Sequence, residues 1–317
     1  MIKISPNLIS NLDCAQVSIS NILLYKNYTE TNTVWKDFEL AYIGKADGLG
    51  SLYASQKSYK EELKWIHKID LLTFKFNNKL DFLEKIKSLI SKNEPVLLWV
   101  DSFYLNYHTY YYKKNELHMV TILDFADDKF ILVDHFQNFV GEITESQLLL
   151  ALDKIQLYTA LSINTENSKI KLNKEDYYEI IYNMISSICY STINKEDKVY
   201  GVNAIKEFIN DCKEYNQQSG DISVLLESIY NELGQIASRH YQVFNILKHA
   251  KQFNLKLYYI ENAIYDLGQE WRIVANMTLK GIFKNSSEMF VRVIRKLEEV
   301  FELEIRLVDL VSNKYSR

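Results

Sequence analysis

Along the first half of the chain the spacing of apolar positions changes repeatedly. Ala15, Ile19, Ile22 and Leu23 fall on one face of a 3.6-residue period, which predicts a helix starting just after Asp13, and a second helix is predicted over 79–91. Three runs rich in β-branched and aromatic residues then read as strands: Pro95–Val100, His118–Phe125 and Lys129–Asp134. The polar stretch Ala126-Asp127-Asp128 between the last two has hairpin length, so they form an antiparallel pair. A short helix over Glu145–Asp153 and a strand over Leu157–Ile163 complete an α+β unit in which helix precedes sheet.

The pattern lapses at Asn164–Lys169, and from Lys174 onward nearly every segment has helical period. The predicted domains are 1–165, α+β, and 166–317, all-helical. In the last helix Phe290, Ile294, Leu297, Phe301, Ile305 and Val308 form one stripe, and Val293, Val300, Leu307 and Leu310 a second. A helix with two apolar faces sits inside a bundle or at a homodimer contact. Asn285 and Glu288 have the spacing of a cap at its start.

Composition narrows the function classes. A chain of 317 residues fits two domains, and 47% hydrophobic with 25% charged residues is ordinary for a globular protein. The net charge is -4, and basic residues such as Lys85, Lys87 and Lys92 are interleaved with other types, which argues against nucleic acid as a partner. The N-terminus lacks the apolar core of a secretory signal and no apolar run is long enough to span a bilayer, so a cytoplasmic protein without membrane association is expected. The three cysteines, Cys14, Cys189 and Cys212, have no CxxC spacing, so neither a zinc or other metal site nor a disulfide framework is expected.

Cys14 stands at a helix N-terminus, where the helix dipole favours a thiolate, although the carboxylate of Asp13 beside it opposes one. His118 opens one predicted strand and Asp134 closes the next, so the hairpin returns both to one end of the sheet. A strand-borne histidine oriented by a carboxylate is the arrangement that supports acyl transfer at a cysteine or serine. Taken singly, Cys14 also suits a small buried apolar site, His118 a structural position and Asp134 a turn cap. Their order along the chain favours a triad: Cys14 nucleophile, His118 base, Asp134 orienting residue. Asp101 and the tyrosines Tyr104, Tyr107 and Tyr110–Tyr112 suit an acceptor pocket or a partly buried aromatic loop. His108 and His135 have no ligand cluster around them, and Cys189 and Cys212 read as core thiols.

The stretch from Pro95 to Thr144 resembles the butirosin biosynthesis protein H family, whose members resemble C39-like, papain-like cysteine peptidases and act as acyltransferases in natural-product pathways. Pro95, Asp101, Tyr104, Tyr107, His118, Asp134 and Gly141 match its pattern, Asp13-Cys14 its early nucleophile, and Gly48-Leu49-Gly50 its glycine-containing segment. The likeness covers roughly residues 10–155; beyond, Gly201–Ile205, Arg239, Tyr241 and Trp271 match its helical domain loosely. Asp124-Phe125 stands where the family commonly has glycine.

The resemblance implies catalytic Cys14, His118 and Asp134, and substrate contacts from Asp101, Tyr104, Tyr107 and Gly50. It implies an acyl or peptidyl carrier protein bearing the phosphopantetheine thioester, a small amine acceptor, and no cofactor or metal on this chain. A peptidase, amidase or thioester hydrolase could use the same triad. A carrier-binding module that keeps the fold without catalysis is a further alternative.

Overall fold

The computed structural model describes residues 2–45, 48–55, 57–155, 158–189, 198–216, 222–253 and 257–315. In chain order the elements are α1 (Cys14–Tyr25), β1 (Glu39–Ile43), β2 (Ser51–Ser55), α2 (Tyr59–Lys64), β3 (Asp70–Lys75), α3 (Lys79–Ile90), β4 (Val96–Asp101), β5 (Leu117–Ala126), β6 (Lys129–Asp134), β7 (Phe139–Thr144), α4 (Glu145–Asp153) and β8 (Thr159–Asn164). Then come α5 (Lys174–Cys189), β9 (Lys198–Tyr200), α6 (Val202–Tyr215), α7 (Ile222–Ala250), α8 (Tyr258–Lys284) and α9 (Ser287–Tyr315). The protein is α+β, with antiparallel sheets and a helical C-terminal region. Leu157, the expected start of β8, lies outside the described residues.

Two compact units share the chain. The first comprises residues 1–34 and 58–172, the second 35–57 and 173–317. This differs from a contiguous division at 165/166, because the β1–β2 hairpin belongs with the helices. Strand β9 pairs with β1, placing Tyr200 opposite Ala41, and the Gly201 amide donates to the Leu40 carbonyl at 2.8 Å. A pairing between residues so far apart in sequence leaves no local signature.

The first unit is built on a six-stranded antiparallel sheet, ordered β3-β8-β4-β5-β6-β7. Alternation sends Val96, Leu98 and Val100 of β4, Val120 and Ile122 of β5, and Phe130 and Leu132 of β6 into one core. Helix α3 covers it with Phe82, Leu83 and Ile86, and α4 with Leu148, Ala151 and Leu152. Each aliphatic or aromatic side chain removed from water there contributes roughly 1.5–3 kcal/mol. Local chemistry starts the helices. Asn78 accepts from the Asp81 amide ahead of α3, and Thr144 and Gln147 form a reciprocal cap at α4.

The β5–β6 hairpin turns through Asp127 and Asp128, with φ of 50° and 59°. Two left-handed residues give the turn whose twist suits adjoining strands, and aspartate tolerates that region better than most side chains. Pairing runs Ala126 to Lys129, Phe125 to Phe130 and Asp124 to Ile131, then shifts, with Ile122 opposite Leu132 and Thr121 opposite Val133. Leu123 is thus the extra residue of a β-bulge. Asp124, at the position commonly glycine in the resembled family, is not among the positive-φ residues, so it needs no glycine.

In the second unit a small sheet, ordered β2-β1-β9, accompanies helices α5–α9. On α9 the fully buried line is Phe290, Val293, Leu297, Val300, Glu304 and Leu307; Phe301, Ile305 and Val308 are half-buried and Leu310 is exposed. The buried line therefore draws on both predicted stripes and adds an acid that neither contains. Glu304 Oε1 accepts from Trp271 Nε1 of α8 at 2.9 Å and lies 3.0 Å from His240 Nε2 of α7, joining three helices. Asn285 does not start α9. It ends α8 in the left-handed region, with φ of 42°, and Ser286 receives the Met289 amide.

Candidate active site

Helix α1 begins at Cys14, capped by Asp13. The Asp13 carboxylate accepts the Gln16 amide at 2.8 Å while the Gln16 side chain accepts the Asp13 amide at 3.2 Å. Its other oxygen takes the Tyr59 hydroxyl at 3.3 Å. The carboxylate that opposes a Cys14 thiolate thus accepts from the Gln16 amide and the Tyr59 hydroxyl. The Cys14 and Ala15 amides, at the first helical positions, have no acceptor among the described residues.

Across the sheet, Val100 stands opposite His118 in the β4–β5 pair, and the Val120–Ile122 side of β5 carries His118 as well. Asp134 continues the β6 register to the level of Val120, so it is the diagonal same-face neighbour of His118. The His118 Nε2 to Asp134 Oδ2 distance is 2.8 Å, and both side chains are buried. Asp134 Oδ1 accepts the Phe136 and Gln137 amides at 3.1 and 3.0 Å. On the other side, the Cys14 thiol lies close enough to His118 to raise its pKa. With Nε2 taken by Asp134, Nδ1 is the ring nitrogen left for the thiol. Cys14 is partly exposed, so a reagent can reach it.

Electrostatics follow from this arrangement. Burial is the largest influence on His118 and pulls its pKa down. Hydrogen bonds and charges from Asp134 and Cys14 outweigh it and raise the ring to about 9. For Asp134 burial again acts against the charge, but His118, the Gln137 amide and Tyr107 hold its carboxyl below the usual range. These are the directions expected of a charged imidazolium beside an ionised carboxylate.

The other sequence candidates fall into different roles. Asp101 Oδ1 accepts the Phe103 and Glu116 amides at 3.0 and 3.3 Å, fastening both ends of the loop over 102–116. Tyr104 is half-buried against the core beneath that loop. Tyr107 stacks on Phe139, centroids 3.8 Å apart, and its buried hydroxyl makes no hydrogen bond of standard geometry yet lies close enough to Asp134 to couple with it. Burial first, and the Asp134 charge second, push that hydroxyl well above its ordinary pKa.

Gly50 lies in the second unit, where its amide donates to Asp211 Oδ2 at 2.5 Å beside the Tyr42 hydroxyl at 2.8 Å. A Cβ there would come within 2.6 Å of the Ile43 carbonyl and the Tyr42 ring. Gly50→Ala is therefore expected to destabilise the protein by about 1–3 kcal/mol in urea denaturation, and an unchanged midpoint would contradict this packing.

Sequence reasoning passed over two histidines that the fold brings close. His108 lies edge-on to His118, ring centroids 4.8 Å apart. Its only advance signal is its place in the loop joining the His118 strand to the preceding one. His135 is buried next to Asp134; its Nδ1 accepts the Asn7 amide at 3.3 Å, and burial pushes its pKa down to about 4. Cys212 is buried, its thiol pushed far up by burial and then by Asp211, as suits a core thiol. The Cys189 side chain lies outside the described residues. Among the described residues no group of three or more His, Cys, Asp or Glu side chains could hold a metal ion, and no helix is long and apolar enough to cross a membrane.

No curated protein matches the chain. A family model does: butirosin biosynthesis protein H, N-terminal, over residues 42–135. That stretch starts beyond Cys14 and contains the 102–116 loop, His118 and Asp134. Over it, the chain is similar to the butirosin biosynthesis protein H family.

Proposed function

We propose that this protein is a cysteine-dependent acyltransferase of natural-product biosynthesis, of the kind that makes antibiotics such as the butirosin in the matched family's name. Its first unit serves as a papain-like, C39-like catalytic domain. The observation that carries the reading is His118, bonded to Asp134 on one side and close to the thiol of Cys14 at a helix N-terminus on the other. A thiolate and an imidazolium held this way make a nucleophile with a proton donor beside it.

The Cys14 sulfur attacks the carbonyl carbon of an acyl thioester on a carrier protein's phosphopantetheine arm. As the C–S bond to the carrier breaks, His118 gives its proton to the departing thiol, leaving an acyl group on Cys14. An amine then attacks this acyl-enzyme, His118 takes the amine proton, and an amide leaves with Cys14 restored as thiolate. The free amides of Cys14 and Ala15 are the candidate donors to the oxyanion. Asp134 stays ionised throughout and holds the ring orientation.

Intact-protein mass spectrometry with a panel of acyl thioesters tests this. Wild type should gain an acyl adduct that Cys14→Ala lacks, and an added amine should discharge it as the amide. Discharge to water alone would make the protein a thioester hydrolase. A Cys14 inert toward both thioesters and alkylating reagents would leave a non-catalytic carrier-binding module.

The raised His118 pKa adds a test by pH. Acyl transfer needs the imidazolium to protonate the departing thiol, so its rate is expected to fall as pH rises through about 9. Alkylation of Cys14 by iodoacetamide needs only the thiolate, so it should not fall there. Parallel decline of both rates would count against His118 as the acid.

A further inference from the structure

His108 is buried, 6% exposed, with its ring plane at 65° to that of His118. Two hydrogen bonds define its protonation. The Tyr110 backbone amide, which can only donate, points at His108 Nδ1 from 3.1 Å. Nδ1 therefore presents a lone pair, and a neutral imidazole then carries its proton on Nε2. That Nε2 lies 3.2 Å from the terminal amide of Gln137. An N–H there requires an acceptor, so the amide is turned with its oxygen toward His108, an orientation that has the same shape as the alternative. The backbone amide of Gln137 meanwhile donates to Asp134. Gln137 thus joins the carboxylate of the triad to the ring beside the triad's imidazole.

We propose that His108 is a positioning residue for His118, kept neutral by Tyr110, and that Gln137 is the hydrogen-bond acceptor that keeps it in place. The inference rests on the reading of Cys14 as a nucleophile paired with His118. A second histidine that titrated at this distance would repel the His118 imidazolium or share its proton. Burial foremost, and His118 next, lower the His108 pKa against the pull of Asp134, and protonating Nδ1 would also break the bond from Tyr110. His108 is thereby an uncharged wall against which the His118 ring is held. The same contacts give the 102–116 loop a task other than lining an acceptor pocket: Tyr107 lies against Asp134 and His108 against His118.

The test is the rate of Cys14 alkylation by iodoacetamide on the full chain, located by peptide mapping between about pH 5 and 10. Gln137 is half-exposed, so its variants are expected to fold. Gln137→Met, which keeps the shape and removes the acceptor, should slow alkylation about tenfold near neutral pH. Gln137→Glu, which keeps an acceptor in place, should stay within about threefold of wild type. Gln137→Met equal to wild type, or Gln137→Glu as slow as Gln137→Met, overturns the proposal. His118→Ala separates the two levels. If it slows alkylation while Gln137→Met does not, only the positioning role fails; if His118→Ala leaves the rate unchanged, the Cys14–His118 pair itself fails.

Discussion

Asp134→Asn is expected to lower the Cys14-dependent transfer rate by about two to four orders of magnitude, by analogy with the loss of the orienting aspartate in a serine triad. The carboxylate satisfies three donors at once, His118 on one oxygen and the Phe136 and Gln137 amides on the other. Asparagine has one oxygen for these tasks. If it keeps the backbone amides, its NH2 faces His118 Nε2, which must then accept. The ring proton moves to Nδ1, toward Cys14, and the base is lost.

Stability should change with it. The raised His118 pKa adds stability that is complete below its ordinary value near 6.5 and disappears as pH rises through about 9, roughly 3 kcal/mol over that window. The lowered Asp134 pKa adds stability that holds above its ordinary value and is lost as pH falls through the lower folded value. Urea denaturation of wild type should therefore weaken from about pH 6.5 to 9, and Asp134→Asn should remove most of that slope. Activity within tenfold of wild type together with an unchanged slope would sink the triad assignment.

The largest purely structural effect is expected at Glu304→Ala. The substitution takes away the acceptor shared by the Trp271 indole and the His240 ring, all three side chains being buried. Leaving those groups without a partner costs about 3–5 kcal/mol, a large share of a domain's stability. Glu304→Gln retains an oxygen and should lose markedly less. Both are read from urea or thermal denaturation. A loss below about 1 kcal/mol for Glu304→Ala would mean that the cluster does not fasten α7, α8 and α9 together.

Much of the first unit is legible because its strands announce themselves through β-branched and aromatic runs, and β6 and α4 span the expected residues. His118 and Asp134 are legible for the same reason, since each marks the end of a strand. What escaped depends on partners distant in sequence. Trp35–Lys57 read as part of the first domain because nothing local reveals that Ala41 pairs with Tyr200. Glu304 escapes the predicted stripes of α9 because apolar periodicity skips an acid that is buried only when Trp271 and His240 arrive. His108 has no spacing signature, since its role comes from a ring contact across a loop. Asn285 looked like the start of a helix, although the same residue type also suits the left-handed end of the preceding one.

The extra residue at Leu123 makes the pairing of His118 with Asp134 a matter of odd and even counting. Were the same residues paired with no bulge, the register set by the Asp127-Asp128 turn would continue with Thr121 opposite Asp134, and His118 would project from the side of the sheet opposite to Asp134. Deletion of Leu123 removes the bulge but leaves Val120 opposite Asp134, so it should keep base and carboxylate on one face. Length changes of an even number of residues within the hairpin preserve parity and need only slide the two groups along their strands, whereas odd ones invert it unless a bulge is gained or lost with them. Relatives that keep His118 and Asp134 counterparts should accordingly differ in the length of this hairpin by even steps, or gain or lose a bulge with an odd one.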